Sequence, residues 1–205
     1  TNLGIISALT SDKDAIIIDR LNHASIIDGT KLSEARRFVY HHCDMDHLEK
    51  SLKRTQEYRK RFVVTDTIFS MDGDAAPLKE IVRLCERYEA YLIVDEDHAF
   101  GMFGEKGAGY MSELQLTGKS LVDMGTFSKA AGSLGGYAAC DSDIRNYLIN
   151  TSRSQIYTTA LPPHVVEVNI KATELIENAD TEREHVLSLA QILREKIQSL
   201  GYNTC

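Results

Sequence analysis

A short apolar run, a polar turn and a longer amphipathic segment alternate along most of this chain, and this alternation strongly constrains its fold. The apolar runs are nearly continuous, which is typical of strands buried on both faces of a mainly parallel sheet. The predicted strands are Ala15–Asp19, Arg61–Ile68, Tyr91–Asp95, Ser120–Thr126 and Gly136–Cys140. The predicted helices between them are Asp44–Thr55, Pro77–Glu89 and Asp141–Ser152. Alternating strands and helices predict an α/β fold, a mainly parallel sheet sandwiched by helices.

The pattern changes after the Pro162-Pro163 pair, where two long helical segments follow with few strand signals between them. These segments are His164–Asn178 and Thr181–Leu200. We therefore expect residues 1–163 to form a large domain, and residues 164–205 to form connecting helices and the start of a smaller second domain. Both ends of the chain are abrupt, so we expect the large domain to be incomplete at its start and the second domain at its end.

Composition excludes several classes of protein. The chain has 23 basic and 30 acidic residues and a formal net charge of −7, which disfavours a nucleic-acid or anionic-membrane partner. No apolar stretch approaches the roughly 20 residues of a membrane span, and the first ten residues lack the basic start of a signal peptide. The cysteines are widely spaced at Cys43, Cys85, Cys140 and Cys205. No disulfide framework is expected, so the sequence predicts a reducing cytoplasm.

Ionisable and hydroxyl side chains follow four of the predicted strands, where each strand ends. They include His23, Ser70, the segment Asp95–His98 and the segment Thr126–Lys129. Ligands of an open parallel sheet bind at the carboxyl ends of its strands. If these strands are neighbours, one crevice holds a hydroxyl, two carboxylates, two imidazoles and one amine.

Two residues of this set point to a particular chemistry. Lys129 lies among small residues and hydroxyls, and a partly desolvated pocket helps an amine lose its proton and react with a carbonyl. A single lysine is most often a surface residue, but the neighbouring strand ends argue against that interpretation here. Asp95 follows four apolar residues, so its buried carboxylate stays ionised only with a positive partner or strong hydrogen bonds. The protonated pyridine nitrogen of pyridoxal phosphate (PLP) would be such a partner.

Two nucleotide-binding motifs are matched only in part. Gly118–Ser120 reads GKS, but Glu113 stands where a P-loop needs glycine, and the acidic strand precedes the motif instead of following it. The spaced glycines of Gly101–Gly109 open no clear helix, so they are interpreted as tight turns. We therefore reject an NTPase.

A cluster of possible metal ligands spans the start of the predicted helix Asp44–Thr55. The cluster contains His41, His42, Cys43, Asp44 and His47. Its spacing matches no closed zinc pattern, and a strand-to-helix turn with Asp44 as the N-cap explains it. No metal site is predicted.

Five segments together resemble the α-oxoamine synthases, which are PLP enzymes of the aspartate-aminotransferase fold. The segments are Asp19–Gly29, Phe69–Leu78, Val94–Gly101, Gly125–Lys129 and Ile156–Pro163. They occur in the same order as in the family and cover nearly the whole chain. The resemblance implies the PLP-binding large domain of a transferase that condenses an amino acid with an acyl thioester and releases CO₂.

The resemblance implies three catalytic residues, Lys129, Asp95 and His98. Lys129 would attach PLP covalently and later move the α-proton of the substrate. Asp95 would pair with the pyridine nitrogen, so that the ring accepts electrons. His98 would hydrogen-bond the phenolic oxygen of the ring, with Ser70 beside it.

The same resemblance implies three further contacts to the cofactor. His23 would stack on the ring. Thr126 would bind the phosphate of its own subunit, and Thr158 would reach the phosphate of the neighbouring subunit. The last contact implies a homodimer with shared active sites.

Two segments, Arg61–Leu78 and Tyr157–Pro163, bear on the choice of substrates within the family. They most resemble members that join L-alanine to a pimeloyl thioester in biotin biosynthesis. The thioester is carried by CoA or by a carrier protein. Members that use glycine or serine remain alternatives, as do aminotransferases and aldolases of the same fold. A non-catalytic scaffold subunit is the alternative from a different class, and the presence of Lys129 argues against it. Asp97 departs from the family motif, which has alanine at this position, and adds a charge near the cofactor.

Overall fold

One six-stranded sheet organises the computed structural model, which describes residues 1–204. The strands are β1 (Ala15–Asp19), β2 (Arg36–Tyr40), β3 (Arg61–Asp66), β4 (Tyr91–Asp95), β5 (Val122–Thr126) and β6 (Gly136–Ala139). Their order is β2-β1-β3-β4-β5-β6. All neighbours are parallel except β5 and β6, which are antiparallel. The mainly parallel sheet predicted from the sequence is confirmed.

Nine α-helices are present in residues 1–204, and a short 3₁₀ helix covers Glu105–Gly107. The α-helices are α1 (Asn2–Leu9), α2 (Ala24–Leu32), α3 (Met45–Arg54), α4 (Leu78–Arg87), α5 (Tyr110–Glu113), α6 (Ser142–Thr151), α7 (Arg153–Ile156), α8 (Pro163–Glu177) and α9 (Asp180–Ser199). The five helices predicted from the sequence are present with ends shifted by one or two residues. None of the described helices is both long and apolar enough to cross a membrane.

Helices cover both faces of the sheet, because alternate strand residues point to opposite sides. On β1, Ile17 belongs to a core with buried residues of α3 and α4, whereas Ile16 and Ile18 belong to a second core with α1, α2 and α6. All five residues of β1 are buried, as the near-continuous apolar runs predict. Among the strands predicted from the sequence, β6 is the exception, since three of its four residues are exposed. Two-sided burial was therefore wrong for this edge strand.

Local sequence explains where several elements begin. The Asp44 side chain accepts a hydrogen bond from the His47 amide and caps α3, so the predicted strand-to-helix turn is confirmed. Pro77 precedes α4 as its N-cap. Strand β3 stops before Ile68, which forms an isolated bridge to Ala75 across a tight loop.

The glycines between β4 and α5 lie in turns, as predicted from their spacing. Gly101, Gly104, Gly107 and Gly109 all have positive φ, from 73° to 115°. At Gly104 a Cβ atom would also lie 2.4 Å from the backbone oxygen of Gly109. Glycine is therefore required at this turn for both conformation and space.

Cysteines do not cross-link the described part of the chain. Cys43, Cys85 and Cys140 are free, and Cys205 lies outside the described residues. The observation agrees with the expectation that no disulfide framework stabilises the fold.

Candidate functional site

The carboxyl ends of β1, β3, β4 and β5 lie side by side, so the four strands that carry the candidate residues are neighbours. The chain passes from β1 outward to β2 and then returns to β3 on the other side of β1. Such a reversal of strand order opens a crevice above the sheet. The Asn22 side chain binds the end of β3: its Nδ2 donates to the Val64 carbonyl at 2.7 Å, and its Oδ1 accepts from the Asp66 amide at 3.2 Å.

Asp95 ends β4 and is only 3% exposed. Its carboxylate accepts hydrogen bonds from Asn2 Nδ2 at 2.7 Å and from the Asp97 amide at 2.9 Å. Burial raises the pKa of Asp95, and the hydrogen bonds from Asn2 and the Asp97 amide only partly oppose this shift. Among residues 1–204 no cationic side chain forms an ion pair with Asp95. The carboxylate is held in place by neutral donors and would be stabilised by a bound cation.

Lys129 follows β5 and lies beside two residues of the segment after β4. Its Nζ is 3.0 Å from Asp97 Oδ2 and 3.3 Å from His98 Nε2. The lysine side chain is 39% exposed, so it is accessible from the crevice. Burial lowers the pKa of His98, and the nearby charge of Lys129 lowers it further. His98 is therefore mainly neutral at pH 7.

Thr126 ends β5 and presents its hydroxyl to the same group of side chains. The hydroxyl donates to Asp97 Oδ1 and lies 2.8 Å from the hydroxyl of Ser128. Residues Thr126, Asp97 and Lys129 thus form one connected polar cluster. The predicted proximity of the ends of β4 and β5 is confirmed.

His23 lies four residues after the end of β1, caps α2 and is exposed. Its backbone amide donates to Asp66 Oδ2 at 2.8 Å, and its Nδ1 lies 2.7 Å from the Ser25 hydroxyl. The Ser25 hydroxyl also accepts a hydrogen bond from Asn2 Nδ2 at 3.0 Å. A chain of hydrogen bonds therefore connects His23 to Asp95 through Ser25 and Asn2.

Asp66 lies next to Asp95 in the register of β3 and β4 and is 4% exposed. Burial raises the pKa of Asp66 to about 7, and the neighbouring charge of Asp95 contributes to the shift. The crevice therefore has two adjacent buried carboxyl groups on its floor, of which only Asp95 was predicted from the sequence.

Two predicted residues are not joined to this group. Ser70 lies in the exposed loop after β3, and Thr158 lies in the exposed segment after α7. No hydrogen bond within residues 1–204 connects the Ser70 or Thr158 side chain to Lys129, Asp95 or His98. Their roles remain predictions.

Glu96 also follows β4, but its side chain points into the protein. It accepts hydrogen bonds from the amides of Tyr110 and Met111, both at 2.8 Å, and from the Thr67 hydroxyl at 3.0 Å. This buried carboxylate anchors the start of α5 and the turns before it. Glu96 is a structural residue.

Two members of the predicted cluster of possible metal ligands, His42 and Cys43, are hydrogen-bonded to Asp19. Asp19, His42 and Cys43 place their ligand atoms within 4.8 Å of one another. His42 Nδ1 is 3.0 Å from Asp19 Oδ1, and its Nε2 is 2.8 Å from Asp74 Oδ2. Both ring nitrogens are thus engaged by carboxylates, and the histidine ties the loop after β3 to the end of β1.

Two residues of the site, Asp66 and Asn2, were missed in the sequence, and the contacts of a third, Asp97, were not predicted. Asp66 ends a buried strand in the same way as Asp95, but the predicted strand Arg61–Ile68 ran two residues past it. Asn2 lies 93 positions before Asp95 in the chain, and no local pattern reveals their contact. Asp97 was noted only as an added charge, whereas it bonds both Thr126 and Lys129.

The side chains at the ends of β4 and β5 are chemically complementary to the functional groups of PLP. A buried carboxylate without a cationic partner among the described residues suits a protonated pyridine nitrogen. An accessible primary amine suits an aldehyde, and the hydroxyls of Thr126 and Ser128 suit a phosphate. The residues present therefore fit the cofactor.

Comparisons with known protein families, sequences and solved structures all match this chain to aminotransferase class I and II proteins or to synthases and transferases similar to it. The family model for aminotransferase class I and II matches residues 1–205. An 8-amino-7-oxononanoate synthase from Exiguobacterium sibiricum is 44% identical over 203 residues, which are 99% of this chain and 52% of that protein. A solved serine palmitoyltransferase from S. paucimobilis with bound PLP has a TM-score of 0.95 and 33% identity, over 98% of this chain and 51% of that one.

A solved 8-amino-7-oxononanoate synthase from Francisella tularensis has a TM-score of 0.86 and 31% identity. The similarity covers 99% of this chain and 58% of that one. The chain therefore spans about half the length of the relatives it matches.

Proposed function

Because the chain belongs to the aminotransferase class I and II family, we propose that it forms the cofactor-binding part of a PLP-dependent acyltransferase. Its fold is that of the PLP-dependent transferases. The reaction would be the condensation of an amino acid with an acyl thioester, with loss of CO₂. The observation that carries this proposal is the placement of the Lys129 amine beside His98, at the same strand ends as the buried Asp95.

For the substrates we propose L-alanine and a pimeloyl thioester, carried by CoA or a carrier protein, with 8-amino-7-oxononanoate as product. The support is the 44% identity to a protein of that name. Serine palmitoyltransferase remains the alternative favoured by backbone similarity, with a TM-score of 0.95 at 33% identity. A glycine-using C-acetyltransferase is a second alternative with the same chemistry.

Each catalytic residue has a proposed task. PLP, when bound, supplies an electron-accepting ring conjugated to the amino group of the substrate. Asp95 would hold the pyridine nitrogen and stabilise its positive charge, since its buried carboxylate favours a charged partner. Lys129 would bind the cofactor and move a proton at the substrate Cα. His98, neutral at pH 7, would donate or accept one hydrogen bond at the ring oxygen.

The remaining contacts position the cofactor. His23 would stack on the ring, and its orientation is supported by the hydrogen bonds from its backbone amide to Asp66 and between its ring and Ser25. Thr126 would bind the phosphate, and Ser70 would approach the ring from the loop after β3.

Thr158 would bind the phosphate in a neighbouring subunit of a homodimer. Every residue from 153 to 164 is exposed, which leaves this segment available to another chain.

The domain division and the location of the protein are also proposals. We propose that residues 1–163 belong to the PLP-binding large domain and that residues 164–205 lead into a smaller domain. The boundary is supported by the start of α8 at Pro163. The free cysteines support the cytoplasm as the compartment.

The first test is an absorbance titration of the full-length protein with PLP. We expect a band in the visible or near-ultraviolet that is lost in Lys129→Ala. Lys119→Ala is the matched control, since it removes an exposed lysine that pairs with Glu86 away from the crevice. An unchanged spectrum in Lys129→Ala would contradict the role of this lysine. A scaffold subunit would show no band in any variant.

The second test identifies the amino acid. The PLP-loaded full-length protein is titrated with L-alanine, glycine and L-serine, and the spectral shift is followed. A shift at the lowest concentration with alanine supports the biotin-pathway reaction. A tighter response to glycine or serine assigns the protein to the corresponding alternative.

A further inference from the structure

Asp97 occupies the centre of the polar cluster between β4 and β5. Its Oδ2 accepts from Lys129 Nζ at 3.0 Å, and its Oδ1 accepts from the Thr126 hydroxyl. The side chain of Asp97 is only 16% exposed, so both contacts are partly shielded from water. A charge-assisted hydrogen bond in such a setting is stronger than one at an open surface.

The two partners of Asp97 are the groups that the proposed function requires for the cofactor. The amine of Lys129 must be free to reach the aldehyde, and the hydroxyl of Thr126 must be free to donate to the phosphate. The hydroxyl has a single proton to donate, and Asp97 takes it. A phosphate dianion placed at Thr126 would also meet the negative charge of the Asp97 carboxylate.

Building on the proposed function, we propose that Asp97 is an internal competitor of the cofactor, which holds Lys129 and Thr126 in the PLP-free protein and lowers its affinity for PLP. Cofactor binding then requires that the lysine and the threonine first leave Asp97. Asp97 is thus a positioning residue, which acts on the cofactor through its two partners.

The attachment of PLP to Lys129 would release one proton and one water molecule. The protonated amine loses one proton to solvent, and Nζ forms a double bond to the aldehyde carbon. The aldehyde oxygen leaves as one water molecule. The ion pair between Lys129 and Asp97 must break before this step. Removal of the Asp97 carboxylate should therefore accelerate the attachment of PLP.

The test compares PLP binding to the PLP-free full-length protein with that to the variants Asp97→Ala and Asp97→Asn. The dissociation constant is obtained by ultrafiltration, and the rate of attachment by absorbance. We expect Asp97→Ala to bind PLP at least tenfold more tightly, because one charged hydrogen bond and one ion pair together exceed the ~1.4 kcal/mol that corresponds to a tenfold change. Asp97→Asn, which keeps the shape without the charge, should lie between Asp97→Ala and the wild type.

Two controls sharpen the result. Glu86→Ala removes the same charge from an ion pair with Lys119 and should leave PLP binding unchanged. Pyridoxal, which lacks the phosphate, should show a smaller gain in Asp97→Ala, because Thr126 then has no phosphate to bind. An equal gain for PLP and pyridoxal would refute the role of Thr126.

The outcomes separate this inference from the proposed function. If the band is lost in Lys129→Ala but Asp97→Ala binds PLP as the wild type does or more weakly, the competitor role is wrong and the function stands. If the band survives in Lys129→Ala, the proposed attachment itself is wrong. Circular dichroism of each variant confirms that it is folded.

Discussion

Replacing His42 with glutamine tests the link between the end of β1 and the loop after β3. His42 bridges Asp19 and Asp74 at 3.0 and 2.8 Å, and its ring packs edge-on against Phe69 with a centroid distance of 4.5 Å. The loop held by Asp74 also carries Ser70, one of the proposed cofactor contacts. The bridge therefore stabilises both the fold and the rim of the crevice.

The structure sets the size and the sign of the effect. A hydrogen bond to a charged group contributes about 1.5–3 kcal/mol when fully buried. The side chains of His42 and Asp74 are 21% and 35% exposed, so screening reduces this value, and we expect roughly 2 kcal/mol for both bonds together. Burial alone would lower the pKa of His42, but the hydrogen bonds to Asp19 and Asp74 outweigh burial and raise it.

The raised pKa determines the pH window. The contribution of His42 to the free energy of unfolding is fully present below the unfolded value of 6.5 and is lost as pH rises through the higher pKa of the folded protein. The assay is urea denaturation of the wild type and His42→Gln at pH 6 and pH 9. The difference in free energy of unfolding should be larger at pH 6.

A matched control and a second variant protect the interpretation. His164→Gln changes an exposed histidine at the start of α8 and should have little effect at either pH. Asp74→Asn combined with His42→Gln in a double-mutant cycle isolates the coupling between the two side chains. A difference of equal size at pH 6 and pH 9 would refute the charged bridge.

Two further predictions concern buried carboxylates. Arg59→Ala should lower the melting temperature at pH 7, because the fully buried Asp14 loses its bonds at 2.9 and 2.7 Å. Burial favours the neutral acid, but hydrogen bonds from Arg59 outweigh burial and lower the pKa of Asp14. The stabilisation from this pair is therefore present above about pH 3.8, the unfolded value. The difference in melting temperature between the wild type and Arg59→Ala should shrink as pH falls through the lower pKa of the folded protein. Glu96→Gln should cost about 2 kcal/mol in urea denaturation, because an amide nitrogen would face the backbone amides of α5. The exposed Glu105→Gln is its control, and equal stability of the two variants would contradict the anchoring role of Glu96.

The sequence predicted much of the framework but missed elements with weak patterns. Helices α3, α4 and α6 have apolar stripes or cap residues at their starts, and β1 and β4 are continuous apolar runs whose ends were predicted without error. Strand β2 was missed because Arg36–Tyr40 is mostly exposed and begins with two arginines. Helix α2 was missed because its start depends on His23, an uncommon cap.

The candidate site also has features that the sequence predicts and features that it does not. The proximity of Asp95, His98, Thr126 and Lys129 could be predicted because each lies at or just after the end of a strand, and parallel strands present their carboxyl ends at one edge. Their partners depend on side-chain packing, which no local pattern reports. The contacts of Asp97 to Thr126 and Lys129 span about 30 positions.

The sequence by itself determined the α/β class, the parallel sheet and the set of chemical groups at the strand ends, because burial and strand period are local properties of the chain. Only the tertiary structure decided how those groups are engaged. Asn2 reaches Asp95 across 93 positions, and His42 reaches Asp74 across 32. Such contacts depend on how the sheet and its helices pack, since packing brings together side chains that lie far apart in the sequence.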